Sequence, residues 1–257
     1  MRAPTERFSD RVADYVRYRP SYPKGVVDLI VARANISPES LIADIGCGTG
    51  IFATLLLETG ASVVGIEPNE PMLQAAVSQL GSQSKFSTKH ASAEQTGLAD
   101  ESIDAITAAQ AFHWFDQPKA RAEFRRILKP EGWVFLVWNE RKSRGSKFSE
   151  LYESALRDCS PEYALVGHRN TPDAEVLEWF ENLTAEMATF SNAQAIDLEG
   201  FLGRAYSSSY VPAAGTRERE AITERLTQVF YSCEVDGNIE LKYETKVYLG
   251  QLSPSSA

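Results

Sequence analysis

Cysteine is scarce in this chain of 257 residues: Cys47, Cys159 and Cys233 are the only three. They are odd in number, far apart and free of any C-x-x-C pair, which argues against both a disulfide framework and a zinc site; no metal is expected. Also missing is an excess of positive charge. Lys and Arg number 26 against 35 Asp and Glu, a formal net charge of −9. Proteins that grip nucleic acid draw on Lys and Arg contacts to phosphate, so a nucleic-acid substrate is not expected. Arg121, Arg125 and Arg126 stand close together, but their spacing suits the solvated face of a helix. No apolar run approaches the length of a membrane span, and residues 1–7 lack the apolar core of a secretion signal. The expectation is a cytoplasmic protein without membrane partners, in which Asn182-Leu183-Thr184 matches a glycosylation acceptor by chance. Low-complexity tracts, internal repeats and long flexible linkers are absent too.

What is present is an ordinary globular composition, 43% hydrophobic and 24% charged. Residues 8–34 read as two short helices joined by Arg19-Pro20-Ser21-Tyr22-Pro23. Strands are expected at 41–45, 62–66, 85–89, 103–108 and 132–138, with helices at 51–57, 71–80 and 119–128 between them. This alternation implies a parallel sheet covered on both faces. Beyond Asn139 the pattern weakens into a polar, helical stretch over 140–182. A sixth strand at 183–190, helices at 198–206 and 218–230, and a cleanly alternating last strand at 239–249 complete the reading; that strand is expected to run antiparallel.

The segment Asp44-Ile45-Gly46-Cys47-Gly48-Thr49-Gly50 joins the first strand to a helix. Glycines there let backbone approach a ligand, and the helix start aims free N–H groups at it; a tight turn with no ligand is the plain alternative. A dinucleotide fingerprint needs glycine at position 51, which is Ile51. Asp44 would also repel a pyrophosphate, whereas it suits either a ligand amine or backbone N–H groups of the loop. Both departures favour a cofactor that carries a cation. Glu67 closes the second strand beside this turn, where a carboxylate accepts both hydroxyl protons of a ribose.

With these pieces in place, the sequence resembles the class I S-adenosylmethionine-dependent methyltransferases. The likeness is carried by the glycine segment, Val64-Gly65-Ile66-Glu67-Pro68, Ala91-Ser92-Ala93-Glu94, Ala109-Gln110-Ala111-Phe112-His113-Trp114-Phe115 and Leu128-Lys129-Pro130-Glu131-Gly132. It is closest to the small-molecule enzymes of the trans-aconitate methyltransferase type, which share the Arg-Pro-x-Tyr-Pro and Phe-His-Trp-Phe segments. The resemblance implies an α/β fold: a doubly wound, mostly parallel seven-stranded sheet with an antiparallel last strand, N-terminal helices and a helical insertion after the fifth strand. It implies one methyltransferase domain over 1–257, with a helical cap at 1–36, a cofactor-binding core at 37–139, the insertion at 140–182 and the rest of the sheet at 183–250.

For the cofactor, S-adenosylmethionine, it implies that Gly46, Cys47 and Gly48 face the methionyl part, with Asp44 near its ammonium group. Glu67 takes the ribose, Pro68 and Met72 pack on the adenine, and Ser92 and Ala93 border its edge. Gln110 lies under the sulfonium region, while Tyr15 and Arg19 close over the cofactor. Met72, Tyr15 and Tyr18 have an equally simple reading as packing residues.

Methyl transfer asks a protein mainly to align nucleophile and methyl and to exclude water. His113 is the candidate general base, with substrate shaping as its other reading. Tyr18, Phe112, Trp114, Trp138, Tyr206 and Tyr210 are expected to line a partly apolar substrate cavity, and Arg204 or Arg169 to clamp a carboxylate. The expected partner is a small molecule methylated on a carboxylate or hydroxyl oxygen, and the protein a monomer or homodimer. The alternatives are a carbon-methylating enzyme of quinone or natural-product biosynthesis and a cofactor-binding protein without turnover.

Overall fold

The computed structural model describes residues 12–160, 163, 172–182 and 184–252. Two helices open this part of the chain, α1 (Val12–Tyr18) and α2 (Lys24–Ala34), separated by the proline-bounded turn. There follow β1 (Leu41–Ile45), α3 (Ile51–Leu57), β2 (Ser62–Ile66), α4 (Glu70–Leu80), β3 (Phe86–Lys89), β4 (Ile103–Ala109), α5 (Gln117–Ile127) and β5 (Leu128–Arg141). The second half holds α6 (Lys147–Cys159), α7 (Asp173–Glu178), β6 (Glu186–Ile196), α8 (Leu198–Tyr206), α9 (Arg217–Cys233) and β7 (Ile239–Gly250). Several helix starts are set by local chemistry. Asn69, Asp116, Ser146, Asp197 and Thr216 each accept a backbone N–H from the first turn with the side chain, satisfying a donor that the helix itself cannot.

The seven strands form one sheet in the order β3-β2-β1-β4-β5-β7-β6. Pairing is parallel from β3 through β5, and β7 runs antiparallel between β5 and β6. Strand order therefore reverses between β1 and β4, the place where open α/β sheets leave a crevice beyond their carboxyl ends. Alternation within the strands separates two cores. Ala43, Ile45, Ile106, Leu136 and Trp138 face one side with Phe124 and Trp179. Ile42, Ala105, Phe135 and Val137 face the other with Ile30, Phe52 and Leu56. A third core joins α6, α8 and α9 through Tyr152, Phe201 and Phe230 and covers Leu241 and Tyr243 of β7.

Three elements differ from the sequence expectation. Strand β5 continues past Trp138 to Arg141 because β7 pairs with it that far, Arg141 opposite Tyr243. Strand β6 is shifted and longer, reaching Ile196 opposite Ile239. Residues 191–196, Ser-Asn-Ala-Gln-Ala-Ile, have little strand propensity of their own, and cross-strand pairing overrides it. Of the stretch 140–182, α6 packs with α8 and α9, whereas Val176, Trp179 and Phe180 of the α7 region join the first core. Arg121 and Arg125 of α5 pair with Glu181, and Arg126 with Glu123 and Asp100.

Candidate cofactor and acceptor site

The chain leaves β1 through a turn whose backbone only glycine tolerates at its first position. Gly46 has φ +69°, and a Cβ there would stand 2.5 Å from the Cβ of Ala111, so both conformation and space exclude a side chain. Its N–H donates to the Ile66 carbonyl at 2.7 Å, tying the turn to β2. Glu67, the next residue of that strand end, is buried. Its two carboxylate oxygens accept the Gly48 N–H and the Asn69 N–H, each at 2.9 Å. Burial raises the Glu67 pKa and these two bonds oppose it. Each oxygen keeps a lone pair for a further donor.

The other residues expected at the adenosine end come from α4 and from the segments that follow β2 and β3. Met72 is buried at the start of α4 and packs toward the turn, its Cε 3.4 Å from where a Gly48 Cβ would be. The Pro68 carbonyl lies 2.8 Å from His90 Nε2. Ser92 borders a shallow surface depression with Lys89 and Gly97, and Ala93 is buried in the first core.

Asp44 lies deep in the site. Its Oδ1 accepts the Thr107 hydroxyl at 2.8 Å, while its buried Oδ2 has no hydrogen-bond partner. Burial pushes the pKa up to about 7, against the Thr107 bond, and the nearby Glu67 adds to the rise. An orphaned carboxylate oxygen in such a place is costly unless a cation reaches it, so the donor set fits a ligand ammonium group. Cys47 is also buried, which raises its thiol pKa well above the ordinary value and leaves it neutral.

A cavity of about 390 Å³ opens above the carboxyl ends of β1, β4 and β5. It brings together Tyr15, Arg19, Asp44, Gly46, Cys47, Gly48, Gln110, His113, Trp114, Arg204 and Tyr210 from the expected set. Gln110 follows β4 at φ +58°, a conformation rare for a side-chain-bearing residue. Its N–H donates to the Val137 carbonyl at 2.8 Å and its Nε2 to the Asn139 carbonyl at 3.1 Å. Phe112–Trp114 form one 3-10 turn that sends Phe112 into the core, where it meets Trp179 edge to face, and leaves His113 on the cavity wall. The Trp138 indole N–H donates to His113 Nδ1 at 3.4 Å. Burial lowers the His113 pKa to about 4.

The cavity lining is also rich in guanidinium groups. Arg204 is buried; its Nε donates to the Tyr243 hydroxyl at 3.3 Å and its Nη1 to Ser208 at 3.2 Å. Arg19 lies over the Tyr15 ring at 4.6 Å and donates from Nη2 to the Ser207 carbonyl at 2.9 Å, while its buried Nε has no partner. Burial and then the Arg204 charge hold the Arg19 pKa below its ordinary value. Neither arginine pairs with a carboxylate among the described residues. Glu153 in the same lining is taken by Arg141 at 2.7 Å, with Arg157 at 3.6 Å and the Tyr163 hydroxyl at 2.8 Å.

Four residues expected at the acceptor lie elsewhere. Phe112 and Trp138 belong to the first core, with only the Trp138 indole nitrogen reaching His113. The Tyr206 hydroxyl lies 2.8 Å from Thr223 and its ring lies under Arg219. The Tyr18 ring rests on α8 and its hydroxyl donates to Glu199 at 2.8 Å. Arg169 is outside the described residues. Conversely, Tyr22, Asn139, Arg141, Glu153, Tyr163 and Ser208 line the cavity without having been singled out there. Asn139 and Arg141 had a signal, being polar residues after the most apolar strand, and Tyr22 sits inside the Arg-Pro-x-Tyr-Pro segment.

Comparison with known proteins places the chain in a family. Residues 43–136 match the family model described as a methyltransferase domain. Uncharacterised methyltransferases of Mycobacterium tuberculosis and Mycobacterium bovis are 35% identical over 182 residues, covering 70% of this chain and 72% of theirs. A solved structure from Anaeromyxobacter dehalogenans, provisionally assigned as a type II methyltransferase, shares the fold with a TM-score of 0.67 at 23% identity, covering 92% of this chain and 99% of that one. The chain belongs to the class I S-adenosylmethionine-dependent methyltransferases, and S-adenosylmethionine is its cofactor. No helix among the described residues is long and apolar enough to cross a membrane.

Proposed function

We propose that the protein methylates an ionised oxygen of a small organic anion held in the cavity above β1, β4 and β5. One observation carries this reading: a single cavity is lined both by Asp44, one of whose carboxylate oxygens has no hydrogen-bond partner, and by Arg204, which has no carboxylate partner among the described residues. The first residue suits a cation and the second an anion. In this reading Asp44 holds the methionyl ammonium group, Glu67 the ribose hydroxyls, and Pro68, Met72, Ser92 and Ala93 the adenine. Arg19 and Tyr15 cover the methionyl end. The acidic balance of the whole chain supports a small molecule over a nucleic acid as acceptor.

When bound, S-adenosylmethionine supplies a sulfonium methyl whose transfer to a carboxylate breaks S–CH₃, forms O–CH₃ and releases no proton. That balance suits this wall. The His113 Nδ1 accepts from Trp138, so its neutral ring carries the proton on Nε2. With a pKa near 4 it is a poor proton acceptor, and we assign it as a neutral group that shapes the wall instead of a general base. Gln110 and Trp114 then border the reacting centre, with Tyr210 and Arg204 on the acceptor.

Turnover of methyl-labelled cofactor over a panel of carboxylic acids, phenols and quinol precursors, each acid beside its amide, tests the reading. The expected product is a methyl ester from an acid whose amide is inert. Methylation confined to carbon or to uncharged acceptors would overturn it, and cofactor binding with no turnover on any class would favour a binding protein.

A further inference from the structure

Helix α1 has no buried residue of its own, so no core holds it in place, yet it delivers Tyr15 and, one residue past its end, Arg19 to the cavity. Its seat lies chiefly on α8 and the end of β6, with a smaller contact to α4. The Tyr18 ring lies where a side chain at Gly203 would be: a Cβ there would stand 2.2 Å from two ring carbons. Glu199, one turn earlier on α8, accepts the Tyr18 hydroxyl at 2.8 Å and pairs with Arg17 at 2.9 Å. Gln194 donates to the Tyr18 carbonyl at 3.1 Å, and Arg19 donates to the Ser207 carbonyl at the far end of α8.

Glycine inside a helix costs about 1 kcal/mol relative to alanine, so α8 gains nothing by itself from Gly203. The residue makes sense as the socket for Tyr18. The Glu199 contacts are exposed, and exposed ion pairs contribute little; ring packing on the glycine carries the seat. We infer that Gly203 is a positioning residue: by seating Tyr18 it holds α1 closed over the cavity and sets how long the cofactor stays bound. This rests on the cavity being the cofactor and acceptor site.

The test is the release rate of S-adenosylhomocysteine, followed in a stopped-flow instrument by tryptophan fluorescence, since Trp114 lines the cavity. Gly203→Ala is expected to hold or raise Tm, alanine being the better helix former, and yet to speed release about tenfold. Tyr18→Leu is expected to speed release as much. The double variant should match either single one, because both remove the same contact. Release within about twofold of wild type in both single variants overturns the inference, as do effects that multiply in the double variant. Should Gly203→Ala fail to fold, Tyr18→Leu, on the outer helix, decides alone. A wild-type protein that does not bind S-adenosylhomocysteine would overturn the cofactor reading itself, whereas binding with indifferent variants would overturn only the latch.

Discussion

The Glu67 carboxylate accepts the Gly48 N–H at 2.9 Å and so fastens the end of β2 to the glycine turn that follows β1. One side chain thus shapes the turn and, on the proposed reading, also takes the cofactor ribose. We expect Glu67→Ala to weaken S-adenosylhomocysteine binding by about 1–3 kcal/mol, since the ribose hydroxyls and the Gly48 N–H both lose an acceptor. Calorimetry measures it directly, and an unchanged affinity would remove Glu67 from the site.

Asp44 predicts a pH dependence. On the proposed reading the cofactor ammonium pairs with the ionised carboxylate, whose pKa burial pushes up to about 7. Affinity should therefore rise with pH and level off above 7, falling roughly tenfold per unit below it. The stability linkage has the opposite sense. A carboxyl whose folded pKa is raised contributes stability that is complete below its unfolded value and lost as pH rises through about 7. Asp44→Asn should accordingly raise the ligand-free Tm at pH 8 while nearly abolishing cofactor binding. A Tm that falls at pH 8 would contradict the sign.

For His113 the expectation is a flat kcat profile. With its pKa near 4, no limb should appear between pH 6 and 8 at saturating cofactor. His113→Asn should keep cofactor affinity and lose acceptor affinity more than kcat. A limb near pH 6.5 that vanishes in this variant would restore the general base.

Gln110 holds φ +58° at the end of β4. Gln110→Gly should relieve that strain, by about 1 kcal/mol, but glycine's greater freedom when unfolded and the lost Nε2 bond offset it, so stability should change by less than about 1 kcal/mol. Turnover should fall, because the Nε2 bond that joins it to the Asn139 carbonyl is lost. Urea denaturation with an activity assay separates the two effects.

Legibility followed chain locality. The strand at 62–66 and the helix at 198–206 carry their own periodicity and caps, and the structure places both at those residues. The turn at 46–50 and Glu67 could be found because their chemistry is written within one βαβ unit. The arginine wall was legible only in part: the sequence points to Arg19 and Arg204 one at a time but not to Arg141, and because the three come from the N-terminal turn, α8 and β5, nothing in their spacing says they share one wall. Aromatic character misled for the same reason. Phe112 and Trp114 are two residues apart, yet one 3-10 turn sends the first into the core and leaves the second at the cavity.

The position of β7 bears on how the chain is made. Strands β1 to β5 pair side by side, so the cofactor half of the sheet can assemble while synthesis continues. Strand β6 has β7 as its neighbour and none on its other side in the sheet order, and β7 is translated more than forty residues later. Until then β5 presents an open edge and β6 waits unpaired, with α6, α8 and α9 still lacking the strand they cover. The half of the sheet that holds β6 and β7 is therefore expected to fold last, and the nascent chain's exposure to aggregation and to chaperones to be concentrated there.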